Sequence, residues 1–523
     1  MRLYKKIETI SDDYWREQKL NEVKRIIEYC SGLFIEATTN TQYVVAGDSL
    51  KINLLVNSRL SNNILNADAK LDNTYVIFDQ LKRNVNSVKS YTMYIPPETK
   101  PTQPYWLESP MEKGSFTVND QQQIGKGESD PWSIDFSMMV YDKEFTFTKP
   151  LRYKYTDPVK GELYQPVVIV PVVDMKFEQD IYFNKIQSEA YANLLVNAMK
   201  EDSSKYNFLI RANDGNMGGY RPDVKFKTGL PYKNIFINGL KYKNTIPVSF
   251  AGMQNFENAE TISVNIAKLA RPDYELPNFH RININYDHIP AINYFKRCKT
   301  KVLSFDLKIE GNYVGYIPGA GDKIPEALIQ MGYRVAILKE ADLVAGNLKQ
   351  FDAIVTGIRA YNTQPWLNNS YDVLMQYVKD GGVLLVQYNT NNSLGPVKSK
   401  IAPYPFTIGG KRITDEEAKV NFLLPDHRSL NYPNKITEKD FEGWIQERST
   451  YHAEKIDSNY QRILSMKDPG ETDQDGSLII ANYGKGRFVY CGLVLFRELP
   501  AGIPGAYRLF ANLIANKRDK YIK

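Results

Sequence analysis

The sequence predicts a multidomain protein in which two β-sandwich domains precede an open α/β domain with parallel strands. Its 523 residues exceed the ~250–300 that one hydrophobic core usually holds. Between residues 33 and 298, short alternations of apolar and polar residues are typical of half-buried strands. From Lys299 onward, short apolar runs alternate with helical patterns, which indicates parallel strands joined by helical crossovers.

A helix is expected ahead of the first strand. Ser11 is placed to cap this helix and Gly32 to end it. Apolar residues recur at helical spacing and predict one buried face, made of Leu20, Val23, Ile26, Ile27 and Cys30. We interpret residues 1–32 as a connector helix.

Two immunoglobulin-like sandwiches are predicted next, over residues 33–150 and 151–298. In the first, Leu50, Ile52, Leu54 and Val56 alternate with polar residues, as a half-buried strand does. The turn-rich segment Tyr155–Pro166 indicates a boundary between the two domains. In the second sandwich we expect a helical insertion near Ser188–Met199.

Residues 299–523 predict the α/β domain. Its strands are continuously apolar, as expected for strands that are covered on both faces. The expected strands are Tyr313–Ile317, Tyr333–Leu338, Phe351–Thr356, Val383–Tyr388, Leu478–Asn482 and Arg487–Tyr490. The expected helices are Asp322–Met331, Leu367–Lys379 and Ala506–Lys517.

Composition excludes several classes of function. The 66 basic and 60 acidic residues are dispersed, so no nucleic-acid footprint is visible. The three cysteines, Cys30, Cys298 and Cys491, lie far apart and predict neither a metal site nor a disulfide framework. No cofactor motif is found. The longest apolar stretch, Val167–Val173, is too short to span a bilayer, and Met1–Glu8 does not have the pattern of a secretory signal.

One candidate ligand site follows the first strand of the α/β domain. Gly319, Gly321 and Asp322 lie where a strand ends and a helix begins, a geometry that binds anions through backbone N–H groups. The segment lacks the third glycine and the Lys-Ser/Thr pair of nucleotide loops. Asp322 is also a good helix cap whose charge repels phosphate, so a tight turn with a cap is the alternative.

Polar clusters follow two further strands at their carboxyl ends, where open α/β sheets bind ligands. Neither cluster contains a pair of titratable groups suited to acid–base catalysis, which favours binding or packing. The cluster residues are Arg359, Tyr361 and Asn362 after one strand, and Gln387, Tyr388 and Asn389 after the other.

Seven segments resemble the long region behind the catalytic domain of LmbE/PIG-L-type deacetylases of Bacteroidetes. The resemblance covers nearly the whole chain and is most specific towards its C-terminal end. The segments are Tyr155–Glu162, Gly315–Asp322, Gly357–Asn362, Val386–Thr390, Arg412–Glu416, Gly443–Arg448 and Leu499–Arg508.

In that family, a separate N-terminal domain removes an acetyl group from an amino sugar, usually with zinc. It carries an AHPDDE segment and a later His-x-x-His pair, and neither is present here. The resemblance therefore implies no catalytic or metal-binding residue in this chain. It implies an accessory region that works with a deacetylase domain in cis or in trans. It also implies a periplasmic or cell-surface setting, or a cytoplasmic one if the chain is complete as given.

The last domain also resembles the class I glutamine amidotransferase-like fold. In that fold, the strand matching Val383–Tyr388 ends in a sharp turn with a nucleophilic cysteine. Here the turn reads Gln387-Tyr388-Asn389-Thr390 and has no cysteine. Because the glutaminase half-reaction needs a thiolate, the resemblance implies a catalytically inactive version of the fold.

Our leading hypothesis is a non-catalytic accessory region. Its sandwiches would be spacers or glycan-binding units, and its α/β domain would bind a carbohydrate or dock the deacetylase domain. The alternative is a sugar-acting hydrolase that uses the α/β crevice. It would need an acid or base near Arg359 and Tyr388, and the candidates are Asp322, Asp415, Glu416 and His427. A purely structural surface protein is a third possibility.

Overall fold

The computed structural model describes residues 2–60, 64–109, 111–112, 114–127, 130–183, 191–212, 233–249, 258–276, 278–391 and 400–516. These residues form a β-rich, multidomain chain with several separate sheets and few long helices. The multidomain, β-rich part of the predicted fold class is therefore confirmed. No helix of the described ranges is both long enough and apolar enough to cross a membrane.

Two helices, Arg2–Ile7 and Asp13–Cys30, come first. The longer helix is capped by Asp12, whose carboxylate accepts the Trp15 N–H at 3.0 Å, so the prediction that Ser11 is the cap was wrong by one residue. Its buried face is narrower than predicted. Val23 is buried, whereas Ile26 is 53% exposed and Cys30 is also exposed.

The first sandwich packs a five-stranded sheet against a four-stranded sheet. Leu50, Ile52, Leu54 and Val56 are all fully buried between them, as the alternation predicts. In sheet order, the first sheet contains Gly161–Pro166, Arg152–Asp157, Leu33–Thr39, Ser49–Ser58 and Ser87–Tyr94. The second contains Thr74–Ile77, Ile64–Leu71, Ser133–Val140 and Lys143–Pro150.

A second pair of sheets encloses its own core. One contains, in order, Asn244–Ser249, Tyr191–Ala198, Val173–Phe177, Phe279–Ile284 and Ile292–Arg297. The other contains Ile181–Phe183, Lys299–Ser304, Asn258–Lys268, Asp202–Ala212 and Lys233–Leu240, and Arg271–Leu276 pairs with Asn258–Lys268. Tyr43–Val45 and Val168–Val170 form a separate two-stranded ladder.

The predicted helical insertion near Ser188–Met199 was wrong. Tyr191–Ala198 is a strand that pairs on both sides, and residues 188–190 lie outside the described ranges. Leu194 and Val196 are fully buried while Asn193 and Asn197 are not, so the apolar residues follow the period of a strand.

The C-terminal unit is built on a seven-stranded mixed sheet. We number its main strands and helices in chain order. The strands are β1 (Tyr313–Ile317), β2 (Arg334–Ile337), β3 (Ala353–Thr356), β4 (Val383–Gln387), β5 (Leu478–Tyr483) and β6 (Gly486–Cys491). The helices are α1 (Ile324–Met331), α2 (Tyr371–Lys379), α3 (Leu495–Ala501) and α4 (Pro504–Ile514).

The sheet order is β2-β1-β3-β4-β6-β5, followed by the short strand Gln461–Arg462. Strands β2, β1, β3, β4 and β6 pair in parallel, as the alternation of strands and helices predicts. The hairpin β5–β6 and the last pairing are antiparallel. One face of the sheet packs against α1, α3 and α4, and the other packs against α2.

The connection from β4 to β5 contains only short elements, with residues 392–399 outside the described ranges. They are the strands Thr407–Ile408, Asn421–Phe422, Ala453–Glu454 and Leu464–Ser465, the helix Arg428–Asn431 and the 3₁₀ turn Glu438–Phe441. Further short helices, Ala345–Leu348, Ala360–Thr363 and the 3₁₀ turn Pro365–Asn369, flank β3. The C-terminal unit contacts the preceding sandwich, where the Phe183 and Tyr507 rings are 4.9 Å apart.

Candidate binding site at the carboxyl ends of the parallel strands

The predicted anion-binding turn is filled by its own carboxylate. Asp322 Oδ1 accepts the Tyr316 hydroxyl at 2.5 Å and the Ile324 N–H at 3.1 Å. Its Oδ2 accepts the Ile358 N–H at 3.0 Å and the side-chain amide of Gln387 at 3.4 Å. Asp322 thus already binds four donors at this turn.

Backbone contact closes the space between β1 and β3, the point where the strand order reverses. A Cβ on Gly319 would lie 2.0 Å from the Ile358 carbonyl oxygen, and a Cβ on Gly357 would lie 2.4 Å from the Tyr316 hydroxyl. The Ala320 N–H also donates to the Ile358 carbonyl at 2.8 Å. Glycine is needed at positions 319 and 357 because the two strand-end loops touch directly.

Asparagines join the loops that follow β3 and β4. Asn389 is fully buried and accepts the Tyr361 N–H at 3.0 Å. Asn362 accepts the Thr390 N–H at 2.8 Å and donates to the Thr390 carbonyl at 3.0 Å. Tyr361 packs into the core, and burial raises the pKa of its hydroxyl. Asn362 and Asn389 therefore fasten the loops, and Tyr361 belongs to the core.

Gln387 is buried at the last position of β4. Its side-chain amide donates to the Thr356 carbonyl at 3.1 Å and to Asp322. Its Oε1 is buried and has no hydrogen-bond partner in the described ranges. Gln387 therefore links the ends of β3 and β4 through hydrogen bonds within the chain.

Tyr388 and Arg359 lie at the rim, where they are partly exposed. The Tyr388 ring stacks on Tyr451, with centroids 5.6 Å apart and planes at 6°, and it also contacts Phe496 at 5.4 Å. We call Tyr388, Tyr451 and Phe496 the aromatic platform. All three side chains are half-buried, so the platform is supported by the core and reaches solvent.

Three residues beside the platform form a charged group that the sequence did not reveal. Glu447 is 4% exposed and lies between two guanidinium groups. Arg412 Nε is 3.1 Å from Glu447 Oε2, and Arg497 Nη2 is 3.4 Å from Oε1. Arg412 and Glu447 come from the β4–β5 connection, whereas Arg497 lies on α3 just after β6.

Two residues that touch Tyr388 have left-handed backbones although neither is glycine. Arg359 has φ +56° and donates its N–H to the Tyr388 carbonyl at 2.8 Å, and Tyr451 has φ +49°. Such a conformation costs roughly 1–2 kcal/mol for an L-residue. Six other non-glycine residues of the described chain also have a positive φ, among them Asn66 and Tyr141, so this feature is not confined to the platform.

Electrostatics at the platform favour recognition over acid–base catalysis. Burial raises the pKa of Tyr388, and the nearby Arg359 and Arg497 guanidinium groups oppose that rise. Glu447 is already held between the Arg412 and Arg497 guanidinium groups. Aromatic faces beside guanidinium groups can stack a ring and bind its polar substituents.

The other residues proposed for a hydrolase do not contact the platform. Glu416 accepts the Gln446 N–H at 2.8 Å, and Asp415 accepts the Glu417 N–H at 2.9 Å. His427 caps the helix Arg428–Asn431, and burial together with Arg487 lowers its pKa. Arg487 pairs with Val383 at the amino end of β4, so His427 lies toward the opposite end of the sheet from Tyr388.

A serine–histidine pair lies beneath the platform. Ser449 Oγ is 2.7 Å from His452 Nε2, but both residues are almost completely buried, and His452 Nδ1 has no partner among the residues that the structure describes. Burial and Lys411 lower the pKa of His452 to about 4. A catalytic pair needs access to substrate and a group that orients the histidine, and this pair has neither.

No nucleophilic thiol is found at the position expected for an amidotransferase. The nearest cysteine, Cys491, pairs with Gln387 across the sheet and is 1% exposed. Burial raises the pKa of its thiol to about 12, so it is protonated at neutral pH. The part of the chain that the structure describes also contains no cluster of three His, Cys, Asp or Glu residues able to hold a metal ion.

A cavity of about 660 Å³ lies on the α2 side of the sheet. Tyr371, Tyr404 and Phe406 contribute aromatic side chains to its wall, and Lys400 contributes a cation. Its wall also includes Asn391 and Lys400, which border residues outside the described ranges. It is separate from the aromatic platform.

No model of a known protein family matches this chain, and no curated protein matches it either. Solved structures that it resembles include alpha-2-macroglobulins of two bacteria. A mutant of Salmonella alpha-2-macroglobulin is 6% identical with a TM-score of 0.15, over 54% of this chain and 16% of that one. Escherichia coli alpha-2-macroglobulin activated by porcine elastase is 6% identical with a TM-score of 0.19, over 54% and 22%. The chain thus spans less than a quarter of their length, and likenesses this weak define neither fold nor function.

Proposed function

We propose that this chain is a non-catalytic accessory region of an LmbE/PIG-L-type N-acetyl sugar deacetylase, and that its C-terminal unit binds a carbohydrate at the aromatic platform. The observation that carries the proposal is the parallel stacking of Tyr388 on Tyr451 at a strand end. Sugar rings pack their C–H faces on such aromatic surfaces, and the adjoining guanidinium groups supply hydrogen-bond donors. The sandwiches would then be spacers or further glycan-binding units.

Ligand-dependent thermal stability tests this proposal. Amino sugars, N-acetylated sugars and short glycans should raise the melting temperature of the chain, because a ligand at 100 times its Kd stabilises the folded state by about 2.7 kcal/mol. Tyr388→Ala should abolish the shift, whereas Tyr388→Phe should keep most of it. Tyr313→Ala is the matched control, since Tyr313 is also half-buried but lies at the amino end of β1. A shift that survives in Tyr388→Ala, or no shift with any sugar, contradicts the proposal.

The finer classification of the C-terminal unit as an inactive amidotransferase-like fold is also a proposal. Its support is the parallel order of β2, β1, β3, β4 and β6, with Tyr388 following β4 in place of a cysteine. We expect the purified chain to release no ammonia from glutamine. Any glutaminase turnover by the purified chain would overturn the assignment.

A second candidate function is docking of a deacetylase domain on the helix Asp13–Cys30. Trp15, Ile26 and Tyr29 are 54%, 53% and 76% exposed and fall at helical spacing on one stripe. If this stripe docks the domain in trans, a separately produced LmbE-type domain should co-elute with this chain in gel filtration. Trp15→Ala with Tyr29→Ala should abolish the complex. Tyr75→Ala, which removes a similarly exposed tyrosine from a sandwich hairpin, should not.

A further inference from the structure

Two arginines at the aromatic platform keep unused hydrogen-bonding capacity. Within the described part of the chain, the guanidinium of Arg359 forms no hydrogen bond or ion pair, and its Nε is buried without an acceptor. The Nε of Arg497 is buried without an acceptor as well. A buried N–H that has lost its water without gaining an acceptor is unfavourable. Arg359 is partly exposed and none of its guanidinium N–H groups is paired within the described part of the chain, so it has donors available for a ligand.

Arg359, Arg412 and Arg497 bring three guanidinium groups to the platform. Carboxyl groups lie close to two of them: Glu447 and Asp468 to Arg412, and Glu447 and Glu498 to Arg497. Glu447 is already bound by Arg412 and Arg497. Asp322, the next carboxylate along the strand ends, directs its oxygens to Tyr316, Ile324, Ile358 and Gln387. None of the described carboxylates pairs with Arg359.

The position of Arg359 is fixed by the backbone. Its N–H donates to the Tyr388 carbonyl at 2.8 Å, and its left-handed conformation lies directly after the Gly357–Ile358 contact with the β1 loop. The fixed backbone sets the point from which the Arg359 side chain leaves the loop beside Tyr388.

We propose that the ligand is an acidic saccharide whose ring lies on the aromatic platform and whose carboxylate binds Arg359 and Arg497. This inference rests on the proposed function, because it assigns the chemical class of the sugar that the platform binds. A planar guanidinium fork matches a carboxylate with two parallel hydrogen bonds. A uronic acid carries such a carboxylate directly on its ring, which places the charge within reach of residues beside the stacked rings.

Calorimetric titration with matched sugars tests the proposal. The probes are glucuronate and galacturonate oligosaccharides, the neutral oligosaccharides of glucose and galactose, and sodium phosphate. We expect the acidic sugars to bind at least roughly tenfold tighter than the neutral ones, since a charge-assisted hydrogen bond is about that strong. Neutral sugars that bind equally well would overturn the acidic assignment while leaving the platform proposal intact. Phosphate binding as tightly as the uronates would also overturn it.

Arginine variants separate charge from structure. Arg359→Gln should weaken uronate binding roughly 10- to 100-fold and weaken neutral-sugar binding much less, because a neutral sugar loses one hydrogen-bond donor but no ion pair. Arg359→Lys should recover part of the affinity, because it keeps the charge but loses the fork. The matched control is Arg462→Gln, which removes a surface arginine paired with Asp475. Uronate affinity that is unchanged in Arg359→Gln would refute the inference.

Two further measurements distinguish failure of the acidic-sugar assignment from failure of the platform as a sugar-binding site. Uronate binding should weaken as salt is raised, because ionic attraction is screened, whereas neutral-sugar binding should not respond. Tyr388→Ala should abolish binding of both kinds of sugar. If Tyr388→Ala abolishes binding and Arg359→Gln does not affect it, the platform is the binding site and the acidic assignment is wrong. If no sugar binds, both proposals fail.

Discussion

Glu498 is a buried acid whose replacement by glutamine should change the pH dependence of stability. It lies on α3 with no exposed surface, and both of its carboxylate oxygens accept the Ile445 N–H, at 3.2 and 3.1 Å. Burial raises its pKa to about 8, a rise opposed by the Ile445 N–H and by the Arg448 and Arg497 guanidinium groups. The carboxyl group is therefore mostly protonated at neutral pH, and a glutamine amide has nearly the same shape.

The charges around Glu498 do not cancel the rise in its pKa. Arg448 and Arg497 favour the carboxylate, whereas Glu416 disfavours it. Lys301 also faces Glu498, but burial lowers the pKa of that lysine. Desolvation outweighs the nearby cations, as it does for most fully buried acids.

The magnitude follows from linkage between proton binding and folding. The pKa is 4.5 as a reference for the unfolded chain and about 8 in the folded chain, so the folded state holds the proton more tightly. The resulting stability is fully present below pH 4.5 and is lost as the pH rises through 8. Between pH 6 and pH 9 this amounts to roughly 2–3 kcal/mol, or roughly 5–10 °C in melting temperature for a unit of this size.

Thermal unfolding at pH 6 and pH 9 measures this effect, and hydrogen exchange of peptides containing Ile445 assigns it to the correct unit. Wild type should lose stability at pH 9, and Glu498→Gln should lose much less. Glu438→Gln, which removes an exposed acid nearby, should behave like wild type. An equal loss in wild type and Glu498→Gln would show that Glu498 is already ionised at pH 6.

Three further predictions concern the same unit. The pKa of His452 is lowered to about 4, so the folded state favours the neutral imidazole, and the stability this gives above pH 6.5 is lost as the pH falls toward 4. Acidification from pH 7 to pH 5 should therefore lower the unfolding free energy by roughly 2 kcal/mol in wild type and by little in His452→Gln. Urea unfolding at the two pH values measures this difference. Gly319→Ala should lower the unfolding free energy by about 2 kcal/mol, because the new Cβ would meet the Ile358 carbonyl. In the same assay, the control Gly346→Ala should be neutral or stabilising, because no atom lies within 4 Å of its Cβ position. Arg487→Met should lower the unfolding free energy by roughly 3 kcal/mol, because Arg487 donates to the carbonyls of Asn512, Leu513 and Ala515 at the end of α4. A change below about 1 kcal/mol would contradict a role for Arg487 as the cap of α4.

The strands of the C-terminal sheet could be predicted because nothing in their sequence competes with a buried strand. Every residue of β3 and β4 is buried, and both runs are short, apolar and bounded by polar residues. The last helix begins at Pro504, two residues before the predicted start, since proline is well suited to the first turn. Local patterns placed these elements to within a few residues.

The predictions that were wrong also have physical explanations. Tyr191–Ala198 was predicted to be helical, but it alternates buried and less buried residues and pairs with two strands. The sequence also cannot show how wide the buried face of a helix is. Ile26 shares the helical spacing of Val23, yet it is 53% exposed because the sheet covers only one edge of the helix.

The platform could be predicted only in part. Tyr388 and Arg359 were found because they follow strands, and the carboxyl ends of parallel strands meet at one edge. Glu447 and Tyr451 lie in the long β4–β5 connection, where no periodic pattern indicates what they contact. Only tertiary packing brings them to Tyr388, so no local signal in one sequence could have found them.

The strand-end loops carry a carboxylate between β1 and β3 and guanidinium groups beside β4, and this difference in charge decides where an anionic ligand can bind. Between β1 and β3, Asp322 supplies a carboxylate to the donors of the turn, and a second anion there would be repelled. Beside β4, Arg359 and Arg497 keep donors without an acceptor. The glycine turn resembles a ligand site by sequence, but its Asp322 carboxylate already accepts the Ile324 and Ile358 N–H groups. The unfilled donors are therefore a better guide than the turn, and they point to the aromatic platform one strand away.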